Sequence, residues 1–384
     1  MKTLRIALYT HSTNPRGGVV HTLELGHALT KLGHEVTIHA PDPAGSGFFR
    51  NTAARHVSIK AAPAPARLRG LVAQRIEEIA AHIRSDSRRY DLYHAQDSIN
   101  ANALADCVES GDIGAFVRTV HHVDVYDDPQ LLDWQSKGIR KARACFCVSK
   151  VWQDFLLHEY GCSADVVPNG VSFERYSPEP VVRDSSVRVA LQLGRGPIYL
   201  AIGGVESRKN TINILRGFKY VLAEYPDAQL VISGGASLLD HTAYQRAFDE
   251  ELAKSGVADH VILTGPVADA DMPALYRIAD ALVFPSVTEG FGLVVLEALA
   301  SETPVVVSRI APFTEYLTDS DCSFADPFDA VSIGAAMIRA LSEGARAAAA
   351  RARIGIAARM SWDVSAACHV ALYEAALRLE LHHA

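Results

Sequence analysis

The stretch ALVFPSVTEGFGLVVLEALASETPVVVS (281–308) decides the fold. Its opening ALVF is a strand that ends at Pro285, since proline cannot donate to a sheet ladder. A loop carrying Glu289, Gly290 and Gly292 follows, then a helix over 292–301 and a second strand in PVVVS. Two strands joined through a helix must run parallel, and parallel sheets are covered on both faces. The same alternation continues upstream, with strands in PIYLAIGG (197–204), AQLVISGG (228–235) and HVILTG (260–265). Helices are expected between them at 211–225, 241–255 and 271–280.

A second block of the same kind precedes this one. LRIALYT (4–10), EVTIHA (35–40), DLYHA (91–95), AFVRTVHH (115–122), ACFCVS (144–149) and ADVVPNGV (164–171) read as strands. VVHTLELGHALTKLG (19–33) has helical spacing and ends at Gly33, and a basic helix lies near 68–84. Residues 172–196, with Pro178 and Pro180, read as a linker. ARAAAARARIGIAAR (345–359) and SWDVSAACHVALYEAALRLELHH (361–383) read as helices. The expectation is two doubly wound domains, 1–178 and 179–360, followed by a helix over 361–384. Ligands in such folds bind beyond the carboxyl ends of the strands, so the expected site is a cleft where two such domains face each other.

At 384 residues the chain is long enough for two domains of roughly 150 residues. With 49% hydrophobic and 21% charged residues it is not a disordered, coiled-coil or disulfide-scaffold sequence. The net charge of −7 excludes a general nucleic-acid binder. Residues 1–178 hold 20 basic and 19 acidic groups, and residues 179–384 hold 17 and 25. The six cysteines form no CxxC pair, and Cys145 and Cys147 alternate onto one face of a strand as buried thiols. MKTLRIALYT turns polar at His11, too soon for a secretory signal, and no run reaches the roughly 18 apolar residues of a membrane span. A cytoplasmic protein is expected. The six arginines of 67–89 leave two readings open, a solvated helical face or a surface lying on anionic lipid. Oligomeric state is not set by the sequence.

Three strand-to-helix loops point to chemistry. In 281–308, glycines let a backbone approach a ligand, and free amides at a helix start attract anions. Glu289 in the loop and Glu297 in the helix can face one ligand and accept from sugar hydroxyls; otherwise Glu289 complements the helix dipole and Glu297 is solvated. In GGVESRKNTINILRGF (203–218), Arg208 and Lys209 stand just before a helix, where they oppose its dipole unless an anion sits beside them. The loop matches neither the Walker pattern nor GxGxxG. In NPRGGVVHTLELGHAL (14–29), Gly17 and Gly18 admit either a phosphate or a tight turn. His121 and His122 follow a strand, as structural histidines or as hydrogen-bonding partners of a polar substrate. Asp269-Ala270-Asp271 is a literal DxD but reads as a helix cap, and no metal-ligand set is expected.

Together these segments resemble glycosyltransferase family 4, retaining enzymes of the GT-B fold, and most closely a bacterial subgroup. GGVVHTLELGHALTKLGHEVTI, DVVPNGV, ESRKN and PSVTEGFGLVVLEALASETPVVVS carry the likeness in the family's order, and SWDVSAACHVALYEAAL resembles its terminal helix, which crosses back onto the first domain. The resemblance implies an acceptor-side domain first and a nucleotide-sugar donor domain second. It implies that Arg208 and Lys209 hold the donor's diphosphate, Glu297 the ribose, and Glu289 the sugar. Phe291, Gly292 and Leu293 would contact sugar or phosphate through their backbone, and the turn from Gly265 to Val267 would lie near the base. Gly17 and Gly18 would approach diphosphate and acceptor, and His121 rather than His122 would be the active-site histidine. The chain departs from the family at Ser172, often Asp, and at Gly203-Gly204, commonly Gly-Arg.

The expected function is therefore retaining sugar transfer from a UDP- or GDP-sugar to an acceptor hydroxyl, with no cofactor or metal. Two alternatives stand beside it: a nucleotide-sugar epimerase on the same scaffold, and a non-catalytic nucleotide-sugar-binding protein.

Overall fold

The apolar runs condense into two parallel sheets in a computed structural model that describes residues 2–235 and 241–378. Two compact units result, Met1–Gly170 with Trp362–Ala384, and Val171–Ser361. Unit 1 contains β1 (Arg5–Tyr9), β2 (Glu35–Asp42), β3 (Arg55–Lys60), β4 (Leu92–Ala95), β5 (Val117–Val120), β6 (Ala144–Cys147) and β7 (Ala164–Val166). Unit 2 contains β8 (Ile198–Ile202), β9 (Gln229–Ser233), β10 (Val261–Gly265), β11 (Ala281–Phe284), β12 (Val305–Ser308) and β13 (Ser323–Ala325).

The strand order in unit 1 is β3-β2-β1-β4-β5-β6-β7, and in unit 2 β10-β9-β8-β11-β12-β13. Each order reverses once, between β1 and β4 and between β8 and β11. At such a reversal the loops leaving two neighbouring strands diverge, and the gap at their carboxyl ends is where ligands bind. The central strands are covered on both faces, as in Ile6 to Tyr9 and Ala281 to Val283, all fully buried. Unit 2 packs Tyr199, Leu215, Phe218, Phe248 and Met337 into one core, and full burial of each phenylalanine contributes about 1.5–3 kcal/mol. In unit 1, Cys145 and Cys147 share a cluster with Ile139, Trp152 and Leu156.

Helix starts follow local chemistry. Asp97 and Asp128 accept from the amides of Asn100 and Gln130, and Pro129 supplies a first helical residue without a spare donor. Helix Trp362–Arg378 packs on helix Gly17–Lys31 of unit 1, with the Tyr373 hydroxyl 2.7 Å from His94 Nδ1. Residues 379–384 of the expected terminal helix lie outside the described residues.

Several features differ from the sequence reading, among them strand β13 and the helix Ala330–Ala340, neither of which was expected. Strand β3 was not expected, because RHVSIK is polar at an edge where only Ile59 is fully buried. The unit boundary lies after Gly170 rather than after residue 178. Val171 bridges to Ser361, and Arg175 reaches Asp269 at 2.9 Å, so 171–178 belongs to unit 2. The segment read as a linker contains helix Val182–Ala190, held by two hydrogen bonds from Arg277 to Asp184 at 2.7 and 2.9 Å. Finally, Asp271 does not cap the helix after it. Its carboxylate pairs with Arg183 and that of Asp269 with Arg175, because the residues forming these pairs lie on elements the sequence separates widely.

Among the described residues no helix is long and apolar enough to cross a membrane. The arginine-rich helix Leu68–Ser85 is laced with ion pairs, Arg75 to Glu78 at 2.5 Å and Arg84 to Asp112 at 2.9 Å.

The Arg277–Asp184 pair is largely buried, and Arg277, outweighing burial, holds the Asp184 carboxyl below its ordinary range. Asp184→Ala should lower the unfolding free energy by about 3 kcal/mol at neutral pH, read by urea denaturation. A depressed carboxyl contributes stability above its unfolded pKa and loses it as pH falls through the folded pKa. The gap between wild type and variant should therefore shrink on acidification.

Candidate functional site

The switch point of unit 2 gathers three of the expected residues. The loop after β8 carries Arg208 and Lys209, and the loop after β11 carries Glu289. Arg208 Nη1 and Lys209 Nζ both donate to Glu289 Oε1, at 2.7 and 2.6 Å. The ion pair is graded in depth, with side-chain exposures of 41% for Arg208, 12% for Lys209 and 7% for Glu289. Lys209 Nζ also stands 4.2 Å from the Phe284 ring centroid, a cation–π contact. Burial alone would raise the Glu289 pKa, but Lys209 and then Arg208 outweigh it and keep the carboxyl below its usual range. Burial pulls the Lys209 ammonium down, against the opposing effect of Glu289.

The two loops are stapled together. Asn210, at φ +62°, donates through Nδ2 to the Pro285 and Pro327 carbonyls at 3.0 and 2.6 Å. Val287 N donates to Arg208 O at 3.0 Å. The two cations thus approach Glu289 on a backbone bound to the backbone that carries Glu289. Gly203 and Gly204 both have positive φ, and their amides donate to Ser233 O at 2.8 and 3.0 Å. The departure from Gly-Arg here accompanies a left-handed path that glycine adopts without strain. Ser172, the other departure, accepts from Arg175 N through its hydroxyl at 3.3 Å.

Glu297 lies on helix Leu293–Ala300, buried rather than solvated, and accepts from the Tyr276 hydroxyl at 2.5 Å. Tyr276 in turn meets Tyr176 edge to face. Phe291 stacks on Tyr316 at 4.9 Å, and the Tyr316 hydroxyl donates to the Phe291 carbonyl at 3.2 Å. Gly292 opens the helix at φ +94° with no side-chain cap, and a Cβ there would fall 2.7 Å from Phe313. The fold itself demands that glycine. Leu293 is the first helical residue, and Val267 lies half-buried past the end of β10.

Unit 1 has a second polar cluster at its own switch point. His121 follows β5, and its Nε2 lies 3.1 Å from Gln96 Oε1, on the residue that leaves β4. Its ring meets His21 edge on at 4.5 Å, and His21 Nδ1 lies 2.7 Å from Asn169 Oδ1. Burial, then the neighbouring His21, His122, His94 and His11, hold His121 well below the ordinary imidazole value, so the ring is neutral. His122 instead turns to Asp124 at 3.2 Å and is half exposed. Gly17 and Gly18 are the first residues of a helix and take no positive φ, which removes the tight-turn reading. A Cβ on Gly17 would meet nothing within 4 Å, and one on Gly18 only His121 Cδ2 at 3.9 Å. Unlike Gly292, neither is a glycine for the protein's own sake.

Sequence reasoning missed Asn210, Gln96, His21 and Tyr276. Asn210 directly follows Arg208 and Lys209 at a helix start, a signal that was present. The others become visible only when strand order brings their loops together.

The chain matches two family descriptions, "Glycosyltransferase Family 4" over residues 15–175 and "Glycosyl transferases group 1" over residues 184–360. It is 26% identical to a D-inositol 3-phosphate glycosyltransferase of Xylanimonas cellulosilytica over 97% of both chains. A mannosylfructose-phosphate synthase of Agrobacterium fabrum is 30% identical over 51% of this chain, a match spanning 45% of that relative. Among solved structures, the sucrose-phosphate synthase of Thermosynechococcus elongatus superposes with a TM-score of 0.80 at 20% identity, covering 97% of this chain and 98% of that one. With both units matched and two parallel-sheet domains of the GT-B kind, the chain belongs to the family 4 glycosyltransferases.

Proposed function

We propose that this chain transfers a hexosyl group from a UDP- or GDP-sugar to an acceptor hydroxyl, with retention at the anomeric carbon and no metal at the diphosphate. The observation that carries the reading is the convergence of Arg208 and Lys209 on Glu289 at the unit 2 switch point. Two cations meet on one carboxylate, with the buried Glu206 the further acidic group that acts on Lys209. A diphosphate needs fixed positive charge as its bond to the sugar breaks, and preorganised cations supply it without reorganisation. The half-exposed Arg208 can turn to a ligand, while the deeper Lys209 keeps its place through Glu289 and Phe284. An incoming phosphate would also draw the Lys209 pKa back up. The uncapped amides after Gly292 add a helix start suited to an anion.

In the proposed step the bond from the anomeric carbon to the diphosphate oxygen breaks, and the acceptor oxygen bonds to the same face. The acceptor's proton passes to the departing phosphate oxygen. Glu289 then serves as orienter of Lys209 and partner of sugar hydroxyls. Glu297, buried but with a carboxylate held by Tyr276, is suited to ribose hydroxyls, and Val267 with Phe291 and Leu293 complete the donor contacts. In unit 1, neutral His121 is suited to hydrogen-bond a substrate hydroxyl, and the open space at Gly17 and Gly18 to admit one.

Lys209→Met should reduce turnover by about 10²–10³, the effect of removing about 3–4 kcal/mol of charge stabilisation. Near-normal rates in Lys209→Met and Glu289→Ala would overturn the assignment. Thermal-shift screening against UDP-, GDP- and ADP-sugars should single out one base, since stabilisation follows affinity. Adding Mg²⁺ or Mn²⁺ to chelator-treated protein should leave turnover unchanged. Gly17→Ala and Gly18→Ala should melt no lower than wild type, because alanine is favoured over glycine in a helix by roughly 0.5–1 kcal/mol. Their turnover should nevertheless fall, and unchanged kinetics would show that the space is not used.

A further inference from the structure

We propose that unit 1 contains a binding site for one divalent transition-metal ion, formed by His39, His82 and Asp86. His39 lies on β2, fully buried, with its ring stacked on Tyr9 at 4.6 Å and 10°. His82 sits in the last turn of helix Leu68–Ser85, and Asp86, four residues on, is the residue that ends it. Positions four apart share a helix face, so both side chains turn toward β2. His39 Nδ1 lies 3.0 Å from His82 Nε2, and one ligand atom from each of the three residues lies within 4.8 Å of the others. Zinc takes nitrogen and oxygen ligands at about 2.0–2.2 Å, which sets neighbouring ligand atoms roughly 3.3–3.5 Å apart in a tetrahedron. The nitrogen pair need part by only a few tenths of an ångström, and the half-buried Asp86, whose Oδ1 accepts from Arg88 N at 3.0 Å, closes the remainder only by a shift of its carboxylate.

The surroundings already orient these ligands. His39 Nε2 lies 3.1 Å from the Tyr90 hydroxyl, which itself donates to Asp86 Oδ2 at 3.2 Å. With the Tyr90 proton on Asp86, the Tyr90 oxygen accepts from His39 Nε2–H. His39 Nδ1 is then left as a lone pair aimed at His82. A metal-bound histidine has this arrangement, its second ring nitrogen donating to an oxygen that fixes the tautomer. Without metal the pair is closed by a proton, His82 Nε2–H donating to His39 Nδ1. With metal, His82 binds through Nε2 and carries its proton on Nδ1, and no net proton is lost.

Two imidazoles and a carboxylate suit zinc and its first-row neighbours rather than magnesium or calcium. Three protein ligands leave a fourth position for water. The ion would clip helix Leu68–Ser85 to β2, one strand removed from the β1–β4 switch point, and the proposal does not depend on the transfer activity. The test uses the full chain stripped with chelator and titrated with Zn²⁺ alone by calorimetry, and with Co²⁺ by visible absorption. One ion per chain, a raised melting temperature and a four-coordinate Co²⁺ spectrum are expected. His82→Gln and Asp86→Asn should each weaken Zn²⁺ binding at least tenfold while keeping the metal-free melting temperature. The proposal is overturned if no stoichiometric binding occurs, or if both variants bind as wild type does, which would assign the metal to other histidines. The wild-type Co²⁺ spectrum tests the ligand set independently of how the variants fold.

Discussion

Lys209 carries its ammonium into a place that water scarcely reaches, and Glu289 makes that tolerable. An isolated buried charge would cost several kcal/mol, and would shed its proton before it cost more. Here the opposite charge arrives from the next strand in the sheet. This requires β8 and β11 to be neighbours, their loops to leave on the same edge, and Asn210 to join the two backbones. The geometry of this charge cluster is thus a product of the strand order, and everything attributed to unit 2 depends on it.

The two units use the same device differently. Unit 2 sets opposed charges at its strand-order reversal, with Arg208 and Lys209 converging on Glu289. Unit 1 sets imidazoles at its reversal, with His121 held by Gln96 and by His21, and burial and the neighbouring histidines hold both rings below the ordinary imidazole value. A charged site suits an anion, and a neutral hydrogen-bonding site suits a hydroxyl. The acidic balance of residues 179–384 says nothing against an anion site there, because local cations set the field near a ligand.

Glycines show how far residue type can be read. Gly17, Gly18 and Gly292 all stood out in sequence as places for close approach. Gly292 is explained by its own φ and by Phe313 beside it. Gly17 and Gly18 have ordinary helical backbones and open space, so the fold does not account for them. The DxD at Asp269 shows the converse. A local rule made it a cap, but Arg175 and Arg183 claim its carboxylates instead.

Strand and helix alternation, the parallel sheets, the basic loop at Arg208 and Lys209 and the paired glutamates were all legible in the sequence. Each rests on short-range patterning or on residues adjacent in the chain. The strand order, the sharing of Glu289 by two cations, the burial of Glu297 against Tyr276, and the meeting of His39 with His82 and Asp86 were not. These join residues tens of positions apart, and no local rule specifies which strands will lie side by side. Periodicity says which face of an element is apolar; only packing decides which polar group from elsewhere comes to rest against it.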